Sequence, residues 1–89
     1  MQNSALPAMS MRVAKENTLL ETVEWALTEA VEAAKSLQDR RENLRAHKRG
    51  SEAYWEALTA VAVAAEVLRA KVDTLVRATD AAEDGLPDD

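Results

Sequence analysis

Lys48-Arg49-Gly50-Ser51-Glu52 is the stretch that decides how this chain folds. The cations Lys48 and Arg49 suit the negative end of a helix macrodipole, and Gly50 can adopt the left-handed conformation that closes a helix. Ser51 is a good N-cap for a second helix, with Glu52 and Glu56 in its first turns, where the positive end of the dipole favours carboxylates. Both sides of the break therefore point to one event: a helix stops, a tight turn over residues 49–51 follows, and a new helix starts.

Working outward from the turn, two apolar series mirror each other. Before it lie Leu20, Val23, Leu27, Ala30, Ala34, Leu37, Arg41 and Leu44; after it lie Tyr54, Leu58, Val61, Ala65, Leu68, Val72, Leu75, Thr79 and Ala82. Each steps alternately by three and four, the repeat of about 3.5 residues that marks helices packed side by side. The spacing predicts a long antiparallel two-helix hairpin, with helix 1 over about 11–48 and helix 2 over about 52–83. Residues 1–10 read as a flexible lead and residues 84–89 as an acidic tail. Thr18 and Glu21 have capping-box spacing, an inner start signal for helix 1, with Ser10 as the outer limit. A tight turn sets Leu44 against Tyr54, Leu37 against Val61, Ala34 against Ala65, and Leu27 against Val72. The Ala34–Ala65 layer leaves a gap unless the helices approach closely or a partner's side chain enters. Off the seam, Ala60, Val63, Ala64 and Val67 make the middle of helix 2 apolar over more than half its circumference.

The chain has 89 residues, enough for one domain at most. One seam between two helices rarely offsets the conformational entropy of ordering them. The expectation is therefore dimerisation into an antiparallel four-helix bundle. Phe and Cys are absent and Gly and Pro number two each, a helix-favouring composition that leaves no thiolate chemistry. No run approaches the roughly twenty apolar residues of a membrane span, and the N-terminus lacks the pattern of a signal peptide. Cytoplasmic residence without membrane association is expected.

The formal charge of −5 is unevenly spread. Arg40, Arg41, Arg45, Lys48 and Arg49 form a basic tip at the turn, whereas Asp80, Glu83, Asp84, Asp88 and Asp89 gather at the open end. Two rods laid head to tail put each basic tip beside an acidic end, and a parallel pair stacks like charges. Arg41 and Glu16 fall on seam positions near opposite ends of helix 1; they read either as charges tolerated at frayed ends or as an inter-subunit pair.

Candidate chemistry is sparse. Glu21, Glu24, Glu29, Glu32, Glu66 and Asp73 sit off the seam and read as a solvated face. Inward-facing carboxylates of a two-metal bundle would instead occupy core positions and carry a Glu-x-x-His pair. His47, in Ala46-His47-Lys48-Arg49-Gly50-Ser51, is similar to a histidine phosphotransfer motif, but the Gly-Ser arrives one residue early; the residue suits a helix C-terminus. No catalytic, cofactor-binding or metal-ligating residue is assigned, and no enzyme activity is expected. Trp25 lies opposite the seam and is the best single candidate for a binding anchor. Trp55 is expected to cover the end of the core beside the turn.

Gly50-Ser51-Glu52-Ala53-Tyr54, at the turn of a small helical hairpin, resembles the turn of the hairpin proteins exported by type VII secretion. That resemblance implies an exported hairpin that dimerises with itself or with a similar partner. Lys48 stands where that family's turn carries Trp, and no residue role is carried over.

These readings converge on a non-catalytic helical-hairpin adaptor or regulator whose main partner is a second copy of itself, and after that another protein. The expected interface is Trp25, Ala34, Ala60, Val63, Ala64 and Val67. An RNA- or DNA-binding regulator using the basic tip is the weaker alternative.

Overall fold

The computed structural model describes residues 6–85, and all of its regular structure is helical: α1 spans Leu6–Arg45 and α2 spans Glu52–Gly85. The two pack against each other as an antiparallel hairpin about a long axis, with extents of 73 × 22 × 16 Å. α1 starts before Ser10, and Thr18 lies well inside it, so the capping-box spacing of Thr18 and Glu21 does not mark the start of the helix. Residues 1–5 of the expected lead, and Asp88 and Asp89 of the acidic tail, lie outside the described residues.

The turn is built as the sequence predicts in its details, but it is longer. α1 ends at Arg45 rather than at Lys48, and residues 46–51 connect the helices. The Ala46 N–H donates to the Asn43 carbonyl at 3.1 Å and the His47 N–H to the Leu44 carbonyl at 3.2 Å. These three-residue spans tighten the last turn of α1 and occupy carbonyls that an α-helix end leaves free. The Ser51 N–H then donates to the Lys48 carbonyl at 3.0 Å, closing a four-residue turn whose third residue, Gly50, has φ +88°. That is the position where a type II turn needs a left-handed residue. The Ser51 Oγ accepts from the Tyr54 N–H at 3.2 Å, the N-cap bond expected of it. A Cβ at Gly50 would meet nothing within 4 Å, so only its backbone conformation opposes substitution. Gly50→Ala is accordingly expected to cost about 1 kcal/mol of stability with helicity unchanged, read from chemical denaturation followed by circular dichroism.

Between the helices the packing differs from the expected seam at every second position. The buried residues are Ala26, Ala30 and Ala33 on α1 and Ala57, Ala64, Ala78 and Ala82 on α2. Val23, Leu37, Leu44, Tyr54, Val61, Leu68 and Leu75 flank them, half-buried, as the sequence predicts. Leu20, Leu27, Ala34 and Arg41 were expected inside, yet they are exposed; Leu19, Ala26 and Ala33 take the inward places. On α2 the same exchange puts Ala57, Ala64, Lys71 and Ala78 inward, ahead of Leu58, Ala65, Val72 and Thr79. The physical reason is size. Methyl side chains let two helix backbones approach closely, and close approach gains dispersion contacts along the whole seam. Bulkier Leu and Val at those positions would hold the rods apart.

Two contacts set the register. Lys71 Nζ donates to Glu29 Oε1 at 2.8 Å, joining the helices near mid-rod. At the open end α2 meets Leu19, whose Cδ1 would stand 2.5 Å from a Cβ added to Gly85. The part of α1 before Leu19 thus extends past the last described residue of α2. Thr22, Thr28, Thr59, Thr74 and Thr79 return their hydroxyls to carbonyls four residues back, which lets these polar side chains sit within helices.

Candidate functional site

Among the described residues the buried side chains are all alanines, and many of the larger apolar side chains are on the surface. Leu20, Trp25, Leu27, Val31, Trp55, Val63, Val67, Val72 and Val76 are all exposed, from 41% for Val72 to 59% for Val63. Helical geometry sorts them. Each residue turns by about 100°, and in an antiparallel pair the position just after a seam residue falls on the same broad side of both helices. Leu20, Leu27 and Ala34 on α1 therefore share one face with Leu58, Ala65, Val72 and Thr79 on α2. Positions just before a seam residue share the opposite face: Thr22, Glu29 and Ser36 with Ala60, Val67 and Thr74.

Surface grooves follow this division. One, on the first face, is lined by Ala34, Leu37, Gln38, Arg41 and Val61. Another, on the second face, is lined by Ala33, Ser36, Arg40, Ala60, Val63, Ala64 and Val67.

The faces differ in chemistry. The first has no charge along its inner rows from Leu20 to Ala34 and from Leu58 to Thr79. Val31 and Val76 add apolar surface at its edges, and Trp55, expected to cover the end of the core, is instead 58% exposed toward the closed end. The second is mixed: Ala60, Val63 and Val67 stand on its α2 side, while its α1 inner row carries Thr22, Glu29 and Ser36, with Trp25 at the edge. The Glu29–Lys71 ion pair, each side chain 36% exposed, crosses it.

The residues expected to form an interface are thereby divided. Ala64 is buried in the seam of the hairpin itself, because its methyl is one of those that bring the helices together. Ala34 belongs to the first face, while Ala60, Val63 and Val67 belong to the second. Trp25 is 55% exposed on the outer side of α1, next to the second face. The sequence reading did not single out Lys71, which holds an inward heptad position between Ala64 and Ala78. Its spacing was the available signal, and its partner Glu29 was read as solvated.

At the closed end, Arg41, Leu44, Arg45, His47, Arg49 and Tyr54 line a shallow hollow. The Arg41 and Arg45 guanidiniums approach Glu42 at 3.8 and 3.9 Å, both exposed pairs of small energetic value. Tyr54 and Trp55 meet edge to face with ring centroids 6.2 Å apart, so the turn is flanked by an aromatic pair. His47 lies in the connection between the helices rather than within one.

Among the described residues no group of three or more His, Asp or Glu side chains is placed to hold a metal ion, and no helix is long and apolar enough to cross a membrane. No protein-family model, curated protein or solved structure matches this chain.

Proposed function

We propose that this chain is a non-catalytic helical-hairpin protein that acts through homodimerisation and protein–protein interaction, as an adaptor or regulator, and that its dimer is an antiparallel four-helix bundle. The observation that carries the reading is an inversion of side-chain size: the buried residues are alanines, while Leu20, Leu27, Val31, Val63, Val67, Val72, Val76 and both tryptophans are exposed. A seam of methyls removes little apolar surface from water, while a buried Leu or Val contributes about 1.5–3 kcal/mol. The hairpin thus keeps its largest source of hydrophobic stabilisation unused until another surface covers it. Isolated two-helix units of this size need such help against the entropy of ordering. Charge supports the orientation, since the basic closed end and the acidic open end attract only when the rods run in opposite directions. Trp25, outside the inner rows of either face, is left as an anchor for a further protein.

Sedimentation equilibrium at micromolar concentration tests this directly. The expected mass is twice the 9.7 kDa of one chain. A well-folded species with the mass of one chain across that range would sink the reading.

A further inference from the structure

Resting on that homodimer reading, we infer that the second copy docks on the face of Leu20, Leu27 and Val72, and that Leu27 and Val72 of each copy seat in the partner's Ala34–Ala65 layer. The Val63–Val67 face stays outside the bundle.

Three observations select this face and this occupant. First, its inner rows carry no charge between Leu20 and Ala34 or between Leu58 and Thr79, whereas the opposite face has Glu29 in its α1 inner row and is crossed by the Glu29–Lys71 pair. Covering that ion pair would desolvate two charges with no new partner for either. Second, the hairpin is 22 Å wide, and α2 with its 34 residues runs for about 51 Å at 1.5 Å per residue. A face of those dimensions is of the order of the ~800 Å² that each partner contributes to a stable interface.

Third, the face is self-complementary in one direction. Along its inner rows a wide layer, Leu27 with Val72, stands next to a narrow one, Ala34 with Ala65. A two-fold axis lying between the faces, across the rods, stacks α1 on α1 and α2 on α2, each pair antiparallel. If the axis passes beside Ala30–Val31 on α1 and Leu68–Arg69 on α2, the Leu27–Val72 layer of each copy meets the Ala34–Ala65 layer of the other. The same axis sets Arg45 of one copy opposite Glu16 of the other. It also sets Arg41 opposite Leu20, within a turn of Glu21 and Glu24. Size and charge therefore agree on one placement. A parallel pair instead brings Arg41 and Arg45 of both copies to one end.

Cysteine chemistry tests it, because the chain has no cysteine of its own. Leu27→Cys chains and Ala34→Cys chains, mixed, reannealed and oxidised, are expected to form a mixed disulfide dimer, and each alone to form little. Alongside, Leu27→Glu is expected to weaken dimerisation by about a hundredfold or more and Val67→Glu by less than about threefold, measured by sedimentation. If the wild type is dimeric and Leu27→Glu leaves it so, or Val67→Glu breaks it, the face assigned here is wrong and homodimerisation stands. If the variants behave as expected but the mixture does not cross-link, the antiparallel placement is wrong. A monomeric wild type overturns both this inference and the reading beneath it.

Discussion

Ala26→Leu is expected to lower stability by about 2 kcal/mol or more, although leucine is the better hydrophobe and nearly as good a helix former. Ala26 is 0% exposed, the most enclosed side chain among the described residues. Three added carbons there have no void to enter, because the helices are held together by methyl contacts on both sides of the seam. The rods must separate locally, and separation sacrifices the contacts of Ala30 and Ala33 as well. Ala70→Leu is the control: Ala70 is exposed, and the same change there should stay within about 0.5 kcal/mol. Thermal and urea unfolding of the two variants, compared at one protein concentration, give the difference. Equal stability of the two would mean that the seam is not close-packed at Ala26.

That variant also tests the point at which the sequence misleads. The hairpin, the turn at Gly50, the Ser51 cap and half of the inward positions were legible, because a left-handed glycine and a hydroxyl cap act locally and leave a local signature. The other half were not. Leu27 and Ala26 are neighbours in sequence and lie about 100° apart on the helix, so a wide apolar stripe admits two phases. Giving the seam to the larger side chains chooses Leu20, Leu27, Val72 and Thr79. The structure chooses Ala26, Ala33 and Ala78, whose small side chains suit a close pair of backbones, and Lys71, whose ammonium reaches Glu29 on the other helix. The recurrence of alanine at 26, 30, 33, 57, 64, 78 and 82 carried that phase, but only if proximity is weighed above hydrophobicity. For the interface the difficulty is of another kind. Periodicity in one helix says which residues share a stripe; which stripes of two helices share a face depends on the seam phase. One wrong phase leaves Ala64 on the surface and places the Leu27–Val72 layer in the interior, the reverse of what the structure has.

Dilution should unfold this protein. If burial of Leu27, Val31, Val72 and Val76 comes only from a second copy, folding and association are one equilibrium, and the thermal midpoint depends on concentration. Each tenfold dilution removes about 1.4 kcal/mol per dimer, which for two chains of this length lowers the midpoint by roughly 3–5 °C. Circular dichroism melts over three decades of concentration should therefore fall on a descending series, with helicity at room temperature failing at the dilute end. Salt should act in the same direction but weakly, since exposed pairs such as Arg45 with Glu16 set orientation and are screened within about 10 Å at 0.1 M. A midpoint that does not move with concentration would mean that seven buried alanines and their half-buried neighbours suffice to hold the hairpin. The exposed leucines and valines would then await a different partner.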